Sequence, residues 1–321
     1  MLNLKAPISI VWEITNNCNF KCPHCRAYQE ITADDENIEN KIVEEIIKND
    51  ILTVNISGGE PLLNPRIFDI IKRLTDANVY VGISTNGWLY KEKREKLLKA
   101  GLKFIQVSLD GEKELHEKFR GVEGSFDRAV ETLKLAKKDG LFTQMNVTIT
   151  SANLQTLEWN YYKALEIGVN KILYRRVVPA GKAIENQYIL PNKKEYNDML
   201  KKLMKLDNSK LIVAVDDPII YALQDKKGQE NLGCAAGIKS LGISSKGDVY
   251  PCIFLREKLG NINEKSLKGI WNNSEMLKKL RNKDINECSE CKYRYTCGGC
   301  RAFSGIFEKD EMCPIGTAWK W

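Results

Sequence analysis

Ten cysteines dominate the chemistry open to this chain: Cys18, Cys22, Cys25, Cys234, Cys252, Cys288, Cys291, Cys297, Cys300 and Cys313. None lies between Cys25 and Cys234, and seven crowd the C-terminal stretch. Thiols scattered through a core would not cluster so. The first three stand in Asn16-Asn-Cys18-Asn-Phe-Lys-Cys22-Pro-His-Cys25. A loop this short can set three thiolates around one face of an iron–sulfur cube, which normally takes four cysteines. The missing fourth leaves one iron open to a small ligand. A structural zinc site wants four protein ligands, and His24 sits between two cysteines where it cannot easily fold back onto their metal. The open iron–sulfur site is therefore preferred over a zinc knuckle or inert core thiols.

Three further segments carry polar chemistry. Ser57-Gly-Gly-Glu-Pro61 pairs a double glycine, which lets backbone approach a ligand closely, with a carboxylate that can hold an ammonium group. Ser84-Thr-Asn-Gly87 and Ser108-Leu-Asp-Gly111 are the others, the latter followed by His116 and Arg120.

Each of these segments follows an apolar, β-branched run. Strands are expected at Ile8–Ile14, Leu52–Ser57, Val79–Ser84, Phe104–Leu109, Thr143–Ile149 and Lys171–Val178. Helices are expected between them at Ile38–Asn49, Arg66–Ala77, Lys91–Ala100, Phe126–Asp139 and Leu154–Ile167. Strict alternation calls for a parallel sheet with right-handed crossovers, either open and doubly wound or an incomplete barrel. In such folds, sites are built at the carboxyl ends of strands, where these motifs fall. The expected organisation is a barrel over 1–185, a connector over 186–230 and a cysteine-rich unit over 231–321. The connector contains an amphipathic helix (Glu195–Leu206) and a short strand (Leu211–Val215). The last unit opens with a hairpin turning at Ser245-Lys-Gly-Asp248.

With 43% hydrophobic and 28% charged residues the chain can bury a core, which excludes disordered and fibrous classes. No signal peptide precedes Trp12, and no run reaches the ~18 apolar residues of a membrane span. A cytoplasmic location is expected, where clustered cysteines hold metals more often than disulfides. The net charge of +7 comes from dispersed lysines, so neither a nucleic acid nor a membrane is an expected partner.

On CxxxCxxC after the first strand, backed by the glycine pair and the later strand ends, the chain resembles the radical S-adenosylmethionine (radical SAM) enzymes. The resemblance implies an α/β fold, an incomplete (β/α)6 TIM-like barrel. It implies a [4Fe-4S] cluster on Cys18, Cys22 and Cys25 whose open iron is chelated by the amino and carboxylate groups of S-adenosylmethionine. One electron from that cluster then yields methionine and a 5′-deoxyadenosyl radical. By the same resemblance Gly58, Gly59 and Glu60 meet the cofactor's amino group, and Ser108 and Arg120 reach its ribose and carboxylate. Asn86 stands at the third strand end. His24, in a position usually aromatic, packs against the adenine or bonds it through its backbone. A surface arginine is the alternative reading of Arg120, since position on a helix alone does not place it.

The remaining cysteines, with Gly247 before Cys252, resemble the SPASM domain, a C-terminal extension holding auxiliary iron–sulfur clusters. The resemblance implies two: an outer one on Cys288, Cys291, Cys297 and Cys313, and an inner one on Cys234, Cys252 and Cys300. Only two residues separate Cys297 from Cys300, where three is more usual, and no eighth cysteine follows Cys234 closely. An open iron, a ligand other than cysteine and a smaller cluster all stay open for the inner site. Alone, Cys288, Cys291, Cys297 and Cys300 would fit a zinc ribbon as well.

Enzymes of this architecture mostly crosslink or oxidise peptides and proteins, which is the expected function. The auxiliary clusters imply substrate binding or electron transfer out of a substrate radical. The alternatives are radical modification of a tetrapyrrole or other small molecule, and an iron–sulfur electron-transfer protein without catalysis. Ile253 stands where sulfatase-maturing relatives carry an aspartate base. No thiol is left over to return a hydrogen atom, as peptide epimerases require. The first strand begins near residue 8, so a leader peptide would call for a separate binding protein, or for none. A flavodoxin or ferredoxin is the expected electron donor. Tyr28, Tyr174, Arg175 and Arg176 are candidate substrate contacts, with strand alternation expecting at least one arginine to face outward.

Overall fold

The computed structural model describes residues 4–26, 34–186, 189–206, 208–225, 233–283, 288–305 and 308–315. The barrel half runs β1 (Ser9–Thr15), α1 (Glu36–Lys48), β2 (Thr53–Gly58), α2 (Ile67–Asp76), β3 (Tyr80–Thr85), α3 (Tyr90–Lys99), β4 (Phe104–Ser108), α4 (Lys113–Arg120), α5 (Ser125–Lys138), β5 (Phe142–Ile149), α6 (Leu157–Ile167) and β6 (Lys171–Arg176). The rest comprises α7 (Lys193–Leu203), β7 (Ile212–Val215), α8 (Ile220–Leu223), β8 (Ser240–Ile243), β9 (Asp248–Tyr250), β10 (Gly260–Asn261), α9 (Leu267–Asn273), α10 (Glu275–Asn282) and α11 (Arg301–Ser304).

The alternation expected from the sequence is present. Helix α1 shows why: Asp35 caps it by accepting from the Asn37 and Ile38 amides, and Ile42, Val43 and Ile46 face the core. Helix α4 has no counterpart in the sequence reading. It is short and polar, ends at Gly121 in the left-handed region, and buries His116, Phe119 and Arg120.

The ten strands among the described residues form one sheet, ordered β10-β9-β8-β1-β2-β3-β4-β5-β6-β7. From β8 through β7 every pairing is parallel; β9 and β10 add antiparallel to the other edge. β10 and β7 remain as edges, so the barrel is incomplete. Four strands outside the expected six join the sheet, two of them directly beside the barrel's outer strands. β7, from the connector, pairs with β6, and β8, from the cysteine-rich unit, pairs with β1 at Ser9↔Ser240 through Trp12↔Ile243. Outer strands β1 and β6 would otherwise leave a row of unpaired backbone groups. The core is equally continuous: Ile10, Trp12 and Ile56 belong to one buried cluster with Leu241, Trp271 and Leu277. Among the described residues no helix is long and apolar enough to cross a membrane.

Alternation divides each barrel strand. Val54, Ile56, Val81, Ile83, Ile105 and Val107 are buried in the apolar core. The opposite positions, among them Asn55, Ser84, Gln106, Gln144 and Asn146, line a central cavity.

Candidate active site

The cavity has a volume of about 740 Å³. At the carboxyl ends of the strands it is bordered by Cys18, Cys22 and Cys25, and on another side by Cys234, Cys252 and Cys300. None of the ten cysteines is in a disulfide.

The cysteine loop is held from both sides. Gly59 N donates to Thr15 O at 2.8 Å and Glu60 N to Asn17 O at 2.7 Å. A Cβ on Gly59 would stand 2.1 Å from Asn17 O, and Gly58 has φ +127°. The glycine pair is thus required by the approach of the loop itself. Gly59→Ala is expected to displace Asn16–Asn17 and the thiol of Cys18. A misplacement of about 1 Å can cost about a hundredfold in rate, so the variant's 5′-deoxyadenosine yield after anaerobic reconstitution should fall on that scale. From the other side Lys182 N donates to Cys25 O at 2.9 Å, and Asn186 Nδ2 to Pro23 O at 3.1 Å. The sequence reading missed this brace, since backbone and amide contacts leave no motif.

Glu60 departs from expectation. Its carboxylate accepts from Leu62 N (3.1 Å), Thr85 Oγ1 (2.8 Å) and Asn86 N (2.9 Å), is fully buried and does not line the cavity. The carboxylate clamps the ends of β2 and β3 together instead of facing a ligand's ammonium. Burial raises its pKa to about 7 against those hydrogen bonds. Gly58, Gly59 and Asn86 do line the cavity.

Ser108 and Arg120 also reach it. Arg120 is buried, which removes the surface reading. Its Nε and Nη2 hold Asp110 Oδ2 at 2.7 and 2.5 Å, and Nη1 stands 3.9 Å from Cys22 Sγ. Burial alone would push the Asp110 carboxyl up; Arg120 and then His116 outweigh it and hold it well below the usual range. Asp110 was legible only as part of Ser108-Leu-Asp-Gly111. His24 stacks on Phe119, with centroids 4.0 Å apart and planes at 5°. Burial and then the Arg120 charge push it down to about 3, so it is neutral.

Neither Arg175 nor Arg176 faces away from the cavity. Arg175 pairs with Asp216, and its guanidinium lies 5.0 Å from the Phe254 ring. Arg176 is the last residue of β6, where alternation no longer constrains it, and it grips Asp310 with Nη1 at 3.0 Å and Nη2 at 2.7 Å. Tyr174 is fully buried and donates to Leu157 O, so it is a core residue. Tyr28 lies outside the described residues.

The seven later thiols sort by proximity. Cys234, Cys252 and Cys300 act electrostatically on one another. Cys288 feels Cys291 and Cys313, and Cys313 also acts on Cys297. Those four line a second, small pocket. Burial pushes Cys18, Cys297 and Cys300 each up to about 12, so they would stay protonated and unreactive without a cation to bind. Backbone amides two residues on oppose this, Phe20 N at 3.4 Å from Cys18 Sγ and Gly299 N at 3.3 Å from Cys297 Sγ. N–H groups aimed at sulfur are what iron–sulfur ligation uses to tune a cluster. Among the described residues no Cys, His, Asp and Glu group is drawn tightly enough for a single metal ion.

The family model for the Radical SAM superfamily matches residues 12–159, and that for an iron–sulfur cluster-binding domain, SPASM, matches residues 234–298. The chain is 32% identical to the AdoMet-dependent heme synthase of Methanosarcina barkeri over 92% of each chain. It is 30% identical to the antilisterial bacteriocin subtilosin biosynthesis protein AlbA of Bacillus subtilis, over 92% of this chain and 67% of that one. In fold it matches Streptococcus suis SuiB bound to S-adenosylmethionine, with a TM-score of 0.79 at 19% identity, covering 97% of this chain and 78% of that one. With relatives this similar along nearly its whole length, the chain belongs to the radical SAM superfamily of enzymes, with S-adenosylmethionine and iron–sulfur clusters as its cofactors and a SPASM domain toward its C-terminus.

Proposed function

We propose that the chain abstracts a hydrogen atom from a peptide or protein side chain held in the central cavity, as the first step of a post-translational crosslink or oxidation. The observation that carries this is the single cavity bordered by two thiol triads, one in the loop after β1 and one from the C-terminal unit. In this reading Cys18, Cys22 and Cys25 hold the [4Fe-4S] cluster. Gly58, Gly59, Asn86, Ser108 and Arg120 surround S-adenosylmethionine, and His24 packs beside its adenine. Cys234, Cys252 and Cys300 hold an inner auxiliary cluster, and Cys288, Cys291, Cys297 and Cys313 an outer one. Bound together, cofactor and first cluster supply the reductive cleavage that makes abstraction from unactivated carbon feasible.

The chain's own residues do the positioning. Arg120, fixed by Asp110, presents a permanent cation at the mouth. The glycine pair keeps the loop against the strand ends. A peptide suits the cavity wall, whose Asn55, Gln106, Gln144 and Asn146 amides offer hydrogen-bond partners for peptide groups. Electrons would come from a flavodoxin or ferredoxin, and a leader peptide, where one exists, from a separate binding protein. The domain reading is a barrel over 1–185, a connector over 186–230 and a cluster-binding unit over 231–321.

A tetrapyrrole side chain is the second reading, favoured by similarity to a heme synthase across 92% of each chain. One experiment tests both. The anaerobically reconstituted enzyme receives S-adenosylmethionine, dithionite and either a side-chain-deuterated peptide encoded beside its gene or deuterated coproporphyrin III. Deuterium should enter 5′-deoxyadenosine from the peptide. Entry from the porphyrin alone selects the second reading, and no 5′-deoxyadenosine at all would sink both.

A further inference from the structure

Five cations line the central cavity: Arg26, Arg120, Lys171, Arg175 and Arg176. Four have a carboxylate partner within the protein, respectively Glu13, Asp110, Asp216 and Asp310. Lys171 has none; among the described residues no hydrogen bond or ion pair engages its ammonium. It is half-buried at the start of β6, on the cavity side with Leu173 and Arg175. Asp216 attracts it only from beyond ion-pair contact and is itself held by Arg175, whose charge opposes that of Lys171. A partly buried charge without a direct partner is costly, so such groups are normally paired.

Its neighbours make a row. Sheet register aligns Ser84 with Gln106, Gln106 with Gln144, and Gln144 with Lys171. Gln106 Oε1 accepts from Ser84 Oγ and Asn146 Nδ2, each at 3.1 Å. Its carbonyl is thereby fixed on the wall, and its NH₂ group has no protein partner among the described residues. Two residues below, Phe104 lies over Gly82, where a Cβ would come within 2.3 Å of the ring. The row is therefore a donor-rich shelf above an aromatic floor.

We propose that Lys171, with the Gln106 amide, anchors a carboxylate of the substrate deep in the barrel, an acidic side chain or chain terminus of the peptide. This rests on the reading of the cavity as the substrate site. One ammonium and one neutral donor match a single negative charge; a phosphate dianion would call for more cations. Ser108, at the strand end, is two residues above Gln106, about 7 Å along the strand. The anchored carboxylate thus stands several bonds from the carbon offered at the mouth. It is a handle and not the reacting group.

The test is equilibrium dialysis of radiolabelled glutarate against the reconstituted holoenzyme, with glutaramide as the neutral twin. Native enzyme should bind glutarate and not glutaramide. Lys171→Met should weaken glutarate about tenfold or more, the worth of a charge-assisted hydrogen bond. Lys171→Arg should restore most of it, and Lys210→Met, at an exposed lysine, should change nothing. Native-like iron and sulfide content shows that each variant is assembled, with Lys171→Gln as the replacement where Lys171→Met is not. Displacement of glutarate by a glutamate-containing tripeptide supports a peptide source, and displacement by coproporphyrin III a tetrapyrrole one. Equal binding by native and Lys171→Met enzyme, equal binding of the two probes, or no binding by native enzyme overturns the proposal. Native enzyme that still forms 5′-deoxyadenosine after any of these leaves the radical reading standing, so the two fail separately.

Discussion

Cys22→Ala enzyme forms no 5′-deoxyadenosine above the level seen without protein, while its auxiliary iron and sulfide remain. The expectation follows from where Cys22 sits. It is buried under Arg120, donating to Arg120 O at 3.7 Å, in the middle of the short cysteine loop. With only three thiols in that loop, losing one leaves two, below what a cubane is ordinarily held by. The fold survives because its local anchors lie elsewhere: the Asp110–Arg120 pair, the Gly59 and Glu60 amides, and the Lys182 amide. Product chromatography gives the yield, and iron and sulfide analysis counts what stays bound. A yield equal to that of the native enzyme would refute the ligand assignment.

Asp310→Ala should destabilise the protein by about 3–5 kcal/mol, the cost of breaking a buried ion pair from one side. The Asp310 carboxylate takes four donors: Arg176 Nη1 and Nη2, Cys300 N at 2.9 Å and Met312 N at 3.0 Å. Arg176 and Asp310 side chains are 2% and 1% exposed. Burial pushes the Asp310 carboxyl up, and Arg176 more than offsets it, holding it below the ordinary value. Truncation leaves Asp217, at 3.2 Å from Nε, as the one carboxylate on Arg176 among the described residues, and frees the backbone at Cys300. The urea midpoint should drop, and auxiliary iron should fall before the first cluster is affected. Asp310→Asn, which keeps an acceptor for the two amides, should cost less. Equal stability of native and Asp310→Ala enzyme would show that the network is not what joins β6 to the C-terminal unit.

The chemistry was legible where it rests on spacing along the chain. Cys18, Cys22 and Cys25 fall in one loop because local spacing sets local geometry, and the glycine pair meets them because motifs at strand ends gather at one rim of a parallel barrel. Among the later thiols, Cys234, Cys252 and Cys300 influence one another, and separately Cys288, Cys291, Cys297 and Cys313, a grouping that resemblance and not spacing supplied. What escaped was partnership across the chain. Nothing in Ser57-Gly-Gly-Glu-Pro61 says that Glu60 turns toward Thr85 and Asn86. The strand at Ser240–Ile243 gives no sign that its neighbour is β1. Lys171 opens an ordinary-looking strand, and only register with Gln144 and Gln106 makes it conspicuous. Such pairings depend on which edges remain vacant once the other strands are in place.

The pairing of β1 with β8 also bears on biosynthesis. Ser9 leaves the ribosome more than two hundred residues ahead of its partner Ser240. At about 5–20 residues per second, one edge of the strand leading into Cys18 stays uncovered for some tens of seconds. During that interval the nascent chain exposes an apolar strand edge and three unprotected thiols together, the combination most open to misassociation. Metal loading of the first site before the sheet is complete would therefore meet a loop whose supporting strand lacks its final neighbour. Slow translation of the C-terminal third, or a chaperone acting there, should affect recovery of active enzyme more than the same intervention early in the chain.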